Sequence, residues 1–280
     1  MNLFWRGIAR HVWRDRAALV ALVFLVGLAG AALFAPLLAP SDPLAVDFDH
    51  LRAPPSPQHW LGTDKQGRDV LSRLLYGARL SLIVSFATQV PILLVGVSAG
   101  CLAGYRGGRI DGLLMRLVDL FYAFPSTLLL IALMTILGRG FGSLLLALTI
   151  TSWAGVARVV RGQVLRLKQA EFITATIGLG ATDTRILRRH ILPNLTGILL
   201  VVISASIPGA IVAEAGLSFL GIGLLPPAPS WGIMLSDGFS VVRSSPHLAW
   251  VPAIAIALTM LAFYTLGDSL TDALDPRLRN

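Results

Sequence analysis

The sequence predicts an all-α integral membrane protein with about six transmembrane helices and a helical cytoplasmic segment between the fourth and fifth spans. Hydrophobic residues make up 55% of the 280-residue chain and charged residues only 14%, whereas roughly 25% of the residues of a soluble domain are charged. The apolar residues lie in long runs, and a spanning helix needs about 20 of them in succession. The run AALVALVFLVGLAGAALFAPLLA (Ala17–Ala39) meets this requirement without a charge. One polar stretch with helical periodicity, Glu171–Asn194, interrupts the apolar pattern.

Six apolar runs are long enough to cross a bilayer. In chain order they are Ala17–Ala39, Leu80–Tyr105, Leu113–Leu137, Phe141–Val160, Leu195–Gly223 and Leu248–Leu270. We interpret the first as a retained helix, because the apolar part of a signal peptide has only about 7–15 residues. Pro91, Pro125 and Pro208 lie inside the second, third and fifth runs, where prolines predict bends.

The distribution of lysine and arginine predicts the orientation. If both termini are cytoplasmic, 16 of the 23 basic residues fall in inside segments, as the positive-inside rule requires. The net charge of +8 therefore reflects topology in a lipid bilayer, with no nucleic acid as partner. We expect a multi-pass protein of the inner (plasma) membrane. Its predicted parts are a cytoplasmic tail (1–16), a first spanning helix (17–39), a periplasmic segment with an amphipathic helix (40–79), a core of five spanning helices (80–270) that includes a cytoplasmic loop (161–194), and a cytoplasmic tail (271–280).

The amphipathic helix is predicted within Gly62–Arg79, on the outer side. Its apolar residues recur at helical spacing and its arginines lie off that stripe, which favours a helix on the membrane surface or against a partner. The apolar residues are Val70, Leu71, Leu74, Leu75 and Ala78, and the arginines are Arg68, Arg73 and Arg79.

The chain lacks the patterns of an enzyme active site. A phosphate-binding P-loop needs Gly-Lys followed by Ser or Thr, but Lys65 and Lys168 follow Asp64 and Leu167. The five histidines are far apart, and the single cysteine, Cys101, excludes an intrachain disulfide. No spacing typical of metal ligands occurs, so we expect no catalytic residue, no metal site and no cofactor in this chain.

The polar stretch predicts two short helices joined by a glycine turn. Gly178 and Gly180 are suited to end the first helix, and Thr182 or Asp183 can cap the second. Pro193 is predicted to stop the second helix before the fifth span. A protruding pair of helices suits docking into a groove of another protein, although periodicity alone favours an ordinary amphipathic cytosolic loop.

This stretch, EFITATIGLGATDTRILRRHILPN, resembles the cytoplasmic coupling loop of ABC importer permeases of the dipeptide/oligopeptide/nickel group. Three further segments are similar to the same group and occur in the family order. They are HWLGTDKQGRDVLSRLLYGARLSL (His59–Leu82), AEAGLSFLGIGLLPPAPSWGIMLSDG (Ala213–Gly238) and LGDSLTDALDPRLR (Leu266–Arg279). The resemblance is to the C-type membrane subunit of such systems and implies the type I ABC importer fold.

The resemblance also implies partners and a mechanism. The complex would contain a sister permease as heterodimer, two ATPase subunits that bind ATP and Mg, and an external solute-binding protein that delivers short peptides. A helix of the coupling loop would sit in a cleft of the ATPase and transmit its closure to the spans. This chain has Thr174-Ala175-Thr176 where the family usually has Glu-Ala-Ala, which implies docking with an altered polar contact.

Two sets of candidate residues follow. The expected ATPase-coupling residues are Glu171, Thr174, Ala175, Gly180, Thr182, Asp183, Thr184 and Arg185. The expected translocation-path residues are Glu214, Gln89 and Ser218. A carboxylate within a span is a functional hypothesis by default, although Glu214 could equally form a structural pair with an arginine or hydroxyl of the sister subunit.

Other functions stay open at this level. The same architecture could import nickel or glutathione, and a different class would be a stand-alone secondary transporter or channel. A self-contained transporter usually shows internal repeats, and the two halves show no convincing repeat.

Overall fold

The computed structural model describes residues 11–274, and their regular secondary structure is helical, without a β-strand. Five helices are long and apolar enough to cross a membrane, and a sixth span is formed if one bent helix pair counts as a single crossing. The helices are α1 (Arg16–Leu33), α2 (Ala35–Leu38), α3 (Val70–Arg106), α4 (Gly108–Ala123), α5 (Ser126–Leu137), α6 (Phe141–Lys168), α7 (Glu171–Gly178), α8 (Asp183–Ile186), α9 (Leu192–Phe219), α10 (Trp231–Phe239) and α11 (His247–Leu274), with a 3₁₀ turn at Phe48–His50 and a π-helical segment at Leu187–Ile191. Residues 1–10 of the predicted N-terminal tail and 275–280 of the C-terminal tail lie outside the described residues.

Helix α3 and helix α6 form the most extensive helix pair of the fold. Three glycines of α3 face α6 at four-residue spacing, and a methyl group on any of them would come within 3 Å of α6. At Gly100 the nearest atom would be the backbone oxygen of Ala157, at 2.6 Å. Small residues at this spacing let two membrane helices approach closely. The glycines are Gly96, Gly100 and Gly104.

The third predicted span, Leu113–Leu137, is two helices rather than one. Helices α4 and α5 meet at an angle of 89°. The break occurs at Phe124, whose backbone is extended (φ −95°, ψ 138°), because the ring of the following Pro125 disfavours the α conformation in the residue before it. The predicted bend at Pro125 is therefore confirmed, whereas Pro91 and Pro208 lie inside continuous helices.

The expectation that Pro193 ends a helix before the fifth span is wrong. Pro193 is the second residue of α9, which continues directly from the π-helical segment. There the N–H of Leu192 donates to the carbonyl of Leu187, five residues earlier. The wider π turn accommodates the proline, which lacks an N–H and would crowd the carbonyl four residues before it in a regular helix.

The predicted amphipathic surface helix is not a separate element. The helix starts at Val70, after the Asp69 cap, and runs without interruption into the second span. Arg73, expected on the polar side, is fully buried at 1% exposure. It lies within an ionic cluster with Asp64 and Asp237, which fixes the N-terminal end of α3 against α10.

Candidate functional site

The two short helices after α6 form a protrusion with one buried face. Ile173 of α7, Ile186 of α8 and Ile191 of the π segment are at most 1% exposed. They belong to one apolar cluster with Tyr105 of α3 and Val164 of α6. This packing anchors the protrusion, residues 171–191, on the ends of two spanning helices.

The rest of the protrusion is largely exposed, and every predicted coupling residue is among its exposed residues. Phe172 is 45% exposed, Ile177 49% and Leu179 89%, so large apolar side chains point away from the chain's own core. The predicted coupling residues that share this exposure are Glu171, Thr174, Ala175, Gly180, Thr182, Asp183, Thr184 and Arg185. A surface of exposed apolar and polar side chains on short, anchored helices is suited to fill a groove of a partner.

The turn between the helices forms as the sequence predicts. Gly180 has a φ of +81°, a left-handed conformation that favours glycine. The Thr182 hydroxyl oxygen then accepts a 3.4 Å hydrogen bond from the Arg185 N–H and caps α8. The predicted helix, glycine turn and helix are thus confirmed.

Hydrogen bonds tie the protrusion to the end of α3. The Tyr105 hydroxyl donates to Oδ1 of Asp183 over 2.8 Å. Lys168, the last residue of α6, donates from Nζ to the Tyr105 carbonyl oxygen over 2.8 Å and lies 5.5 Å from the Tyr105 ring centroid. The Asp183 carboxylate is therefore engaged within its own chain, where it positions α8.

A cavity of ≈590 Å³ lies between the spanning helices α3, α5, α6, α9 and α11. None of the described residues that line it is charged, and its walls combine apolar side chains with hydroxyl groups. Gln89, a predicted path residue, lines this cavity and donates from its side-chain amide to the Ser85 carbonyl. The hydroxyl-bearing lining residues are Ser126, Thr127, Thr151, Ser152, Ser206 and Tyr264.

Sequence reasoning missed these hydroxyl groups. The signal that could have found them is the pairing of neighbouring polar residues, Ser126-Thr127 and Thr151-Ser152, inside otherwise apolar runs. Hydroxyls within a span often bond to the carbonyl one turn earlier, as Thr151 does with Ala147 at 3.0 Å, and this makes them inconspicuous in a sequence.

The other two predicted path residues do not line this cavity. Glu214 is fully buried and accepts hydrogen bonds from the Ser81 hydroxyl (3.1 Å) and the Ser218 hydroxyl (2.8 Å). Ser218 in turn accepts from the N–H of Leu224 over 3.3 Å. Glu214 thus joins α3, α9 and the segment that leads to α10, through hydroxyls of its own chain.

An ionic cluster lies at the N-terminal end of α3. Asp64 accepts from Arg68 Nε (2.7 Å) and lies 3.4 Å from Arg73 Nε, while Asp237 pairs with Lys65 at 2.7 Å. The cluster links the segment before α3 to α10. Within residues 11–274, no three His, Cys, Asp or Glu side chains gather in a way that could hold a metal ion.

Comparisons with known proteins place this architecture. Residues 96–280 match the family described as binding-protein-dependent transport system inner membrane component, and residues 4–55 match the N-terminal transmembrane domain of oligopeptide transport permease C. The dipeptide transport system permease protein DppC of Bacillus subtilis (strain 168) is 43% identical over 96% of this chain and 85% of its own length. The oligopeptide permease OppC of the same organism is 42% identical over 98% and 90%.

Other similar proteins are named for different substrates. The glutathione transport system permease protein GsiD of Pectobacterium atrosepticum is 42% identical over 99% of this chain and 92% of its own length. Among solved structures, the MetNI methionine ABC transporter in an inward-facing conformation superposes with a TM-score of 0.59 at 18% identity, over 73% of this chain and 98% of the solved chain. That likeness concerns the fold, which is the type I ABC importer permease fold.

Proposed function

The chain belongs to the family of binding-protein-dependent transport system inner membrane components, and from that premise we propose that it forms, with a sister permease, the translocation path of an importer of short peptides. As a permease of this family it is a multi-pass membrane subunit of an ABC importer, which works with an ATPase and a binding protein. The proposal adds a heterodimer with a sister permease, two ATPase subunits that hold ATP and Mg, and both termini on the cytoplasmic side of the inner membrane.

The observation that carries the proposal is the two-faced protrusion 171–191. Its inner face, which is buried, packs on α3 and α6 through Ile173, Ile186 and Ile191. Its outer face, which is exposed, carries Leu179 and Phe172, and these side chains can contact a partner. If an ATPase cleft grips the outer face, ATP-driven closure moves the protrusion, and the buried contacts pass that motion to the spanning helices. The free energy comes from the different contacts of ATP with the two states of the ATPase.

The cavity supports a peptide as the transported molecule. A volume of ≈590 Å³ falls within the range of about 300–1,000 Å³ typical of small-molecule sites. Uncharged walls tolerate peptides with different side chains, and hydroxyl and amide groups such as Ser206 and Gln89 can exchange hydrogen bonds with peptide groups. The named relatives transport dipeptides, oligopeptides and glutathione, which are all peptidic.

Glutathione is the second candidate substrate, favoured by the GsiD relatives at 42% identity. Because selectivity in such importers is expected to reside largely in the binding protein, the two candidates differ by which peptide that protein delivers. Transport into proteoliposomes, measured with labelled dipeptide and labelled glutathione in competition, separates them.

A photo-crosslinking experiment in native membranes tests the proposed partners and topology. A photoreactive amino acid at position 179 should crosslink to an ATPase subunit, because Leu179 is 89% exposed on the outer face of the protrusion. The same photoreactive amino acid at position 60 is the matched control, since Trp60 is also exposed but lies in the predicted external segment. Crosslinking of an ATPase from position 60, or of no ATPase from position 179, would overturn the proposal.

A further inference from the structure

A second cavity, of ≈630 Å³, lies outside the translocation cavity and shares no residue with it. One wall is the stretch of α3 from Val90 to Cys101, and the other is formed by Thr184, Leu187 and Arg188 at the base of the protrusion. The wall along α3 is apolar except for Ser98, and the charged Arg188 lies among the lining residues from the protrusion. We refer to this cavity as the lateral groove.

The lateral groove is open to its surroundings. Val90 is 60% exposed and Leu94 65% exposed, so apolar side chains of a spanning helix remain uncovered along it. From Val90 to Cys101 the helix rises about 16 Å at 1.5 Å per residue. Half of the hydrocarbon core of a bilayer is about 15 Å thick, which means that the groove has the length of one leaflet's acyl chains.

The charge at the groove favours an anionic occupant. The ion pairs among residues 11–274 do not include Arg188, and no acidic residue lines the groove. Arg185, three residues before Arg188 in the sequence, adds a second positive charge on the protrusion. An arginine binds phosphate through two parallel hydrogen bonds, and basic clusters at the cytoplasmic surface attract anionic lipids.

We propose that the lateral groove binds an anionic phospholipid of the cytoplasmic leaflet, with an acyl chain along Val90–Cys101 and the phosphate at Arg188. This inference rests on the proposed function, because it takes the protrusion to be cytoplasmic. The lipid would touch α3 and the protrusion at once. Its presence would therefore stabilise one arrangement of the protrusion relative to the second span and modulate coupling.

Photoreactive lipids test this site in the intact transporter reconstituted with its partner subunits. Phosphatidylglycerol and phosphatidylcholine carrying the same diazirine acyl chain are compared, and labelling of the peptide that contains Val90–Cys101 is measured by mass spectrometry. We expect phosphatidylglycerol to label it several-fold more than phosphatidylcholine. Arg188→Gln should remove this preference, whereas Arg189→Gln, the same charge change outside the groove, should preserve it.

A second variant tests the groove without changing Arg188, in case Arg188→Gln fails to fold. Ser98 is an exposed lining residue, and Ser98→Phe should reduce labelling by both lipids while Arg188 stays in place. Equal labelling by the two lipids in the unmodified protein would overturn the proposal, because it would indicate an ordinary lipid-facing surface. No labelling by either lipid would also overturn it and would indicate that another subunit covers the groove.

The proposed function has its own readout in the same preparation, which is co-purification of the ATPase. Selective lipid labelling without a bound ATPase would contradict the coupling role and leave the lipid site standing. A bound ATPase without selective labelling would contradict the lipid site and leave the coupling role standing.

Discussion

The Tyr105 hydroxyl donates a 2.8 Å hydrogen bond to the Asp183 carboxylate, across 78 residues of sequence. Tyr105 lies in the last turn of α3, and Asp183 is the first residue of α8. This single contact joins the end of the second spanning helix to the helix expected to meet the ATPase. It gives the protrusion a directional, polar link to the membrane domain in addition to its apolar packing.

Removing this link should weaken coupling. A hydrogen bond contributes about 1 kcal/mol net, or roughly fivefold in an equilibrium, so we expect Tyr105→Phe to lower transport several-fold while ATPase subunits still bind. Transport into proteoliposomes and ATP hydrolysis are measured together, because lost coupling lowers their ratio. Tyr76→Phe, near the N-terminal end of the same helix, is the control; an unchanged ratio in Tyr105→Phe would argue against transmission through this bond.

A charge on the outer face of the protrusion should prevent docking. Leu179 is 89% exposed, so Leu179→Glu leaves the fold intact but places a carboxylate in any apolar cleft that receives this side chain, where burial of an unpaired charge is unfavourable. We expect the ATPase to be lost from the purified complex. Leu51→Glu makes the same change at a 44% exposed residue of the segment predicted to be external and should retain the ATPase. Equal retention by both variants would contradict docking through Leu179.

The close approach of α3 and α6 should be sensitive to one methyl group. In Gly100→Ala the new Cβ would lie 2.6 Å from the backbone oxygen of Ala157, and overpacking of this kind costs about 1–3 kcal/mol. Gly112→Ala is matched in chemistry, but its Cβ would meet nothing within 4 Å. Thermal unfolding in detergent should show a lower midpoint for Gly100→Ala only, and equal midpoints would mean that the helices are less tightly packed.

Two substitutions at Glu214 distinguish a structural carboxylate from a path residue. Glu214→Ala leaves the hydroxyls of Ser81 and Ser218 buried without this acceptor, at a cost of about 1–3 kcal/mol for each unsatisfied group. Glu214→Gln can still bond to both hydroxyls, so it should retain most of the stability and the transport KM for peptides. Unfolding midpoints and transport kinetics are compared; a large KM change in a stable Glu214→Gln variant would place Glu214 in contact with the substrate.

The sequence by itself predicts the features that depend on neighbouring residues. Apolar runs of membrane length, the glycine turn at Gly180 and the Thr182 cap all follow from local hydropathy, backbone freedom and hydrogen bonding within one turn. The resemblance of Glu171–Asn194 to a coupling loop is likewise a local pattern. These predictions agree with the structure because the forces behind them act over a few residues.

Only the tertiary structure decides which distant groups meet. Arg73 is off the apolar stripe, yet it is buried, because packing brings Asp237 to it from another helix. Glu214 finds the Ser81 hydroxyl across 133 residues, and the cavity walls come from five helices. A π turn, rather than a helix end, accommodates Pro193, since the continuous helix keeps its packing on both sides of the proline. Periodicity records which face of a helix is apolar, but the burial of a charge depends on the partner that packing supplies.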